Sequence, residues 1–173
     1  VLLSSTVGNR IGGTVAAQRN VVSGNKGAGF DLFDADQSVI EGNLIGTDAT
    51  GFAALPNVNG IRVQAGASNT LVGGTSAGSR NVISGNKADA IILNGNETRI
   101  EGNRIGVGPD GLTVVSNNSV GVILSGTNNV VGGSVPGAGN VIAGNGGNGV
   151  TVGGAVGGVV AGNYIGVAGD GFT

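Results

Sequence analysis

Asp31, Asp34 and Asp36 crowd into one short stretch, interleaved with Leu32, Phe33 and Ala35. Carboxylates this close together can divide a glycosidic cleavage between them as acid and base, or can hold a calcium ion through their hard oxygens. Arg62, 31 residues beyond Asp31, would complete a carbohydrate-binding or polysaccharide-cleaving site. The plainer reading is a local ion pair between Asp31 and Arg62 on adjacent strands, worth ~0.2–1 kcal/mol when exposed. Ile92, Ile123 and Thr151 occupy the matching places further along, so a substrate chain would leave the acids and meet mainly aliphatic groups. The expectation is therefore no catalysis, with Asp31, Asp34, Asp36 and Arg62 as the alternative.

Other chemistries are closed off by composition. The chain has 173 residues, no histidine and no cysteine, which removes a Ser-His-Asp triad, thiolate chemistry and the usual zinc ligands. No serine sits in a Gly-x-Ser-x-Gly turn, and the Gly-Gly pairs precede no helix on which to cradle phosphate. Glu41 and Glu101 match each other, but Ala161 replaces them in the third copy, which favours a solvated edge. Asp48, Asp110 and Asp170 lie in loops where Asp-Gly is ordinary turn chemistry. Neither a metal nor a cofactor is expected. A formal charge of −2 with 10% charged residues leaves no footprint for nucleic acid and no basic face for a membrane surface. No apolar run approaches the roughly 20 residues of a membrane-spanning helix.

What positions these residues is a repeat. Arg19-Asn20-Val21-Val22-Ser23-Gly24-Asn25 returns as Arg80-Asn81-Val82-Ile83-Ser84-Gly85-Asn86 and, loosely, as Gly139-Asn140-Val141-Ile142-Ala143-Gly144-Asn145. Between them Glu41-Gly42-Asn43-Leu44-Ile45-Gly46 recurs around Asn103 and Asn163. Such self-similarity marks a stacked, quasi-one-dimensional architecture. Gly-apolar-x-apolar strands open at Gly29, Gly60, Ala90, Gly121 and Gly149, so one coil takes about 30 residues. The 38 glycines and the dominance of Val and Ile argue for strand and turn throughout. Three short strands per coil are predicted over about six coils, as one domain spanning 1–173. Ile40, Val72, Ile100, Val131 and Val160 are the inward residues of the second strand.

The third strand opens on Asn20, Asn43, Asn81, Asn103, Asn140 and Asn163, spaced 23, 38, 22, 37 and 23 apart. The alternation places an insert before the asparagine in odd coils (75–80) and after the third strand in even coils (47–59 and 107–119). Period-2 alternation turns each asparagine inward, and coils about 5 Å apart would let successive amides bond in a ladder. Gly-Asn pairs such as Gly24-Asn25, Gly85-Asn86 and Gly144-Asn145 read as corners. The outward row is Val21, Leu44, Val82, Arg104, Val141 and Tyr164, either an interface stripe or a surface covered by the apolar residues of the even-coil loops. Phe52, Leu55, Leu112, Val114 and Val115 are those residues.

These motifs resemble the parallel β-helix repeats of large secreted or surface-attached bacterial proteins, similar in architecture to the right-handed pectate-lyase-like β-helices. The resemblance covers nearly the whole chain. It implies an all-β, right-handed parallel β-helix at an extracellular or cell-surface location, acting as stalk, adhesin body or filament subunit. That superfold also carries enzymes, so fold alone does not settle activity. Neither end shows a capping segment, so the expected partners are further coils of the same protein or end-to-end copies, with carbohydrate as the alternative.

Overall fold

The computed structural model describes residues 1–172 and is a parallel β-solenoid of about six coils. The first sheet stacks Leu2–Val7, Phe30–Asp36, Ile61–Val63, Ile91–Leu93, Val122–Leu124 and Val150–Val152. The second stacks Arg10–Gly12, Val39–Glu41, Leu71–Gly73, Arg99–Glu101, Val130–Gly132 and Val159–Ala161. The third stacks Val21–Val22, Leu44–Ile45, Val82–Ile83, Arg104–Ile105, Val141–Ile142 and Tyr164–Ile165. All pairings within the three sheets are parallel and in register, so like residues pile on like. Only two single-turn 3-10 segments, Ala16–Gln18 and Ala77–Ser79, interrupt the strand-and-turn pattern among the described residues.

Alternation within each strand sorts the side chains. Phe30, Ile61, Ile91 and Val122 form one inward column and Leu32, Val63, Leu93 and Leu124 a second, all fully buried. Ile40, Val72, Ile100 and Val131 line the second sheet as predicted, whereas Val160, in register with Val131 on the last strand, is 39% exposed; Ile45, Ile83, Ile105 and Ile142 line the third. Burying each such side chain contributes about 1.5–3 kcal/mol. The β-branched residues therefore supply the core that five aromatics cannot.

Both corners of the second sheet are stereotyped. The residue two places before its strands, Gly8, Gln37, Asn69, Glu97, Asn128 and Gly157, takes a positive φ in every coil. At the far corner, Gly73 shows why glycine is required in an odd coil. Its φ is +90°, and a Cβ there would lie 2.0 Å from the Glu101 carbonyl and 2.5 Å from Asn103 Oδ1.

The six predicted asparagines form the ladder. Nδ2 of Asn20, Asn43, Asn81, Asn103 and Asn140 donates to Oδ1 of the next at 2.9, 3.2, 2.9, 3.1 and 2.8 Å. Each backbone N–H donates to that same oxygen. The spare amide proton reaches back to the preceding second-sheet strand, Asn81 to the Ile40 carbonyl at 2.8 Å and Asn103 to Val72 at 2.9 Å. The buried amides are satisfied along the axis and across the prism at once.

Candidate functional site

Asp31 lies outward in Phe30–Asp36, in register with Arg62, and the two form an ion pair. Its second oxygen, Oδ1, accepts from Gln64 Nε2 at 2.6 Å. Asp34 sits at φ +49° in a break of the strand pairing, where Ser5 Oγ donates to it at 3.3 Å. Asp36 Oδ1 accepts from both the N–H and the hydroxyl of Ser68 at 2.8 Å. The three carboxylates thus share no partner, and each is held by its own structural contacts. Arg62 continues in register into Ile92, Ile123 and Thr151, so the acidic row is one coil deep. Among the described residues no three acidic side chains gather as a metal site.

Glu41 and Glu101 depart from the solvated-edge expectation. They are 6% and 4% exposed, each paired with an arginine whose own side chain remains largely in water: Arg10 at 2.5 Å from Glu41, and Arg99 beside Glu101. The cause lies in the odd-coil inserts. A Cβ on neighbouring Gly42 would meet the Gly13 carbonyl at 2.1 Å and the Gly78 carbonyl at 2.9 Å, one from the insert on either side. The even coil has no insert here, so its neighbours' inserts close over it.

A second asparagine column stands where sequence reasoning saw only corners. Asn25, Asn57, Asn86 and Asn117 donate through Nδ2 to Oδ1 of Asn57, Asn86, Asn117 and Asn145 at 2.7, 3.1, 2.8 and 2.9 Å. Gly24, Gly85 and Gly144 do turn the chain with positive φ, but the asparagine after each points into this column. Ser23 and Ser84 brace the adjoining corner, donating to the Thr47 and Val107 carbonyls at 2.6 and 2.8 Å.

The outward row of the third sheet divides by coil. Leu44, Val82 and Val141 are buried, whereas Val21 and Tyr164 at its ends are 46% and 47% exposed. The loops do cover the middle, though not with the residues expected. Phe52, Leu55, Leu112 and Val114 remain exposed and only Val115 is buried. What lies against the row is loop backbone and Pro109: a Cβ at Gly51 would meet Pro109 at 2.6 Å and Leu44 at 3.3 Å, and one at Gly111 would meet Arg104 Nη1 at 1.8 Å. Antiparallel bridges Thr47↔Ala54 and Val107↔Val114 pinch each loop at its base. Asp48 and Asp110 then cap it.

Asp48 Oδ1 accepts from the Gly51 and Ala53 N–H groups at 3.0 and 3.2 Å and from Thr50 Oγ1 at 2.8 Å. The Thr50 hydroxyl, with those amides, holds the carboxyl below its ordinary range. At Asp110 partial desolvation pushes upward, but the Leu112 N–H, the Thr113 hydroxyl and N–H, and the Arg104 charge outweigh it and leave the carboxyl lowered. Asp170 accepts from the Phe172 N–H at 2.9 Å in the same manner.

Between the odd-coil inserts and the even-coil loops the third sheet keeps an open groove. One part, of about 470 Å³, is lined by Arg80, Arg104, Ser134, Pro136, Val141 and Tyr164 among others. A second, of about 220 Å³, continues past the same two arginines to Arg19, Leu44, Val82 and Pro109. Of its arginines only Arg104 was visible as part of a surface row; Arg19 and Arg80 precede a ladder asparagine and carried no signal of their own. No protein-family model, curated protein or solved structure matches this chain.

Proposed function

We propose that the chain is a rigid, non-catalytic β-helical rod segment of an extracellular or cell-surface bacterial protein, acting as a stalk, adhesin body or filament subunit. The observation that carries this is the pair of continuous asparagine ladders, which tie each coil to the next along the axis through side chains as well as backbone. Solenoids built of nearest-neighbour contacts lengthen by adding coils, and coil edges of this kind accept a further coil of the same chain or of a second copy. The resemblance of the repeats to secreted β-helices supports the location and the right-handed winding. No helix among the described residues is long and apolar enough to cross a membrane.

The carbohydrate-cleaving alternative receives less support, because both oxygens of Asp31 are already taken by Arg62 and Gln64. Incubation with acidic and neutral polysaccharides tests the choice. The rod reading expects no new reducing ends or unsaturated products; turnover that disappears in Asp31→Asn would overturn it. Electron microscopy over a range of concentrations tests the filament form of the reading by the presence or absence of end-to-end fibres.

A further inference from the structure

The chain has six arginines. Arg10, Arg62 and Arg99 are each ion-paired. The other three, Arg19, Arg80 and Arg104, all line the third-sheet groove, and none forms an ion pair among the described residues. Half the arginines of an acidic chain are thus gathered, without carboxylate partners, on one concave face.

Arg104 and Arg80 border both parts of the groove. Arg104 is half-buried, and burial followed by the like charge of Arg80 weakens its hold on its proton. Asp110, whose charge acts on Arg104 in the opposite sense, spends its oxygens on the Leu112 and Thr113 amides and the Thr113 hydroxyl at 2.9, 3.0 and 2.7 Å. Gly111 leaves room for the Arg104 guanidinium, which a Cβ there would displace from its present position. Arg19 is partly engaged, its Nε donating to the Gly42 carbonyl at 3.1 Å.

We propose that Arg80 and Arg104 form a binding site for a phosphate or sulfate group carried on a sugar, with Tyr164 as the bed for the sugar ring. Two guanidinium forks offer more donors than one carboxylate has oxygens, whereas the three free oxygens of a tetrahedral ester group reach both forks, a phosphate ester as a near-dianion and a sulfate ester as a monoanion. The exposed Tyr164 ring gives an apolar bed, and Ser134 gives a polar rim, which suits a ring with apolar faces and hydroxyl edges. This site stands independently of the mechanical role proposed above.

Calorimetric titration of the whole chain at low ionic strength tests it, with inorganic phosphate, inorganic sulfate, acetate, glucose 6-phosphate and glucose 6-sulfate as probes and sodium chloride at matched ionic strength as the blank. Saturable binding of phosphate or sulfate is expected, at least tenfold tighter than acetate, with the sugar ester tighter than its inorganic anion. Phosphate and sulfate arms separate the two sources of the group. Arg80→Gln and Arg104→Gln should each weaken binding at least tenfold, Arg80→Lys less, and Lys26→Gln, an exposed cation elsewhere, not at all. Circular dichroism confirms that each variant is folded, and the half-exposed Arg80 keeps the test valid should Arg104→Gln fail to fold. Heats indistinguishable from chloride, or affinity unchanged in Arg80→Gln, would overturn the site; sugar esters no tighter than the bare anions would overturn its sugar bed.

Discussion

Asn81 donates to Asn103 Oδ1 twice, from its side-chain amide at 2.9 Å and from its backbone N–H at 3.2 Å, so one oxygen fixes both the side chain and the strand of the coil before it. Both residues are fully buried. A ladder of this kind is registry as well as adhesion: a coil slipped by one residue would lose both bonds and turn its aliphatic face outward.

Replacing Asn103 by leucine keeps the branching of the side chain but strands the Asn81 amide and takes a donor from the Val72 carbonyl in a dry interior. Unsatisfied buried groups cost about 1–3 kcal/mol each, so Asn103→Leu should cost about 3 kcal/mol or more. Asn20→Leu, at the exposed end, should cost about 1 kcal/mol or less by the same reasoning. Urea denaturation of the two variants checks the contrast.

The second column predicts a similar gradient. Asn117 is fully buried, with Nδ2 bonded to Asn145 and to the Ile83 carbonyl, whereas Asn25 is exposed. Asn117→Ala should therefore destabilise clearly more than Asn25→Ala. Equal effects in thermal unfolding would show that these residues act only as turn formers.

The two columns also mark how far the sequence could be read. The first was legible because each of its asparagines opens a strand with an aliphatic residue two places on, from Asn20 with Val22 to Asn163 with Ile165. The second was hidden because its members come in unlike settings: Asn25, Asn86 and Asn145 after corner glycines, Asn57 after Pro56, and Asn117 after Ser116. The burial of Glu41 and Glu101 depends on inserts belonging to other coils, and no local pattern reports that. Arg19 and Arg80 became part of a groove only once stacking had set them beside Arg104.

Arg99 and Glu101 should respond asymmetrically to mutation. The carboxylate is buried while the Arg99 side chain is 59% exposed. Arg99→Ala leaves a buried charge unpaired and should cost about 3 kcal/mol, whereas Glu101→Gln frees an arginine that water can solvate and should cost about 1 kcal/mol. Equilibrium unfolding at pH 7 decides, and a larger loss in Glu101→Gln would contradict the burial argument.

The even-coil loops should resist acid. Asp48 and Asp110 hold carboxyl groups below the ordinary 3.8, so their contribution is fully present above that pH and is lost as pH falls through the lowered folded values. Hydrogen exchange at the Leu112 and Thr113 amides, corrected for intrinsic rates, should show constant protection from pH 7 to about 4 and loss only below. A loss centred above 3.8 would contradict the capping account.

The rod itself is tested most directly by pulling single molecules from the two ends of the chain. A solenoid held coil to coil by asparagine ladders should resist until a distinct rupture and then lengthen in increments of ~100 Å, the contour of one coil, or whole multiples of it, with rupture forces lowered in Asn103→Leu. Smooth lengthening at low force, with no rupture and no dependence on Asn103, would contradict it.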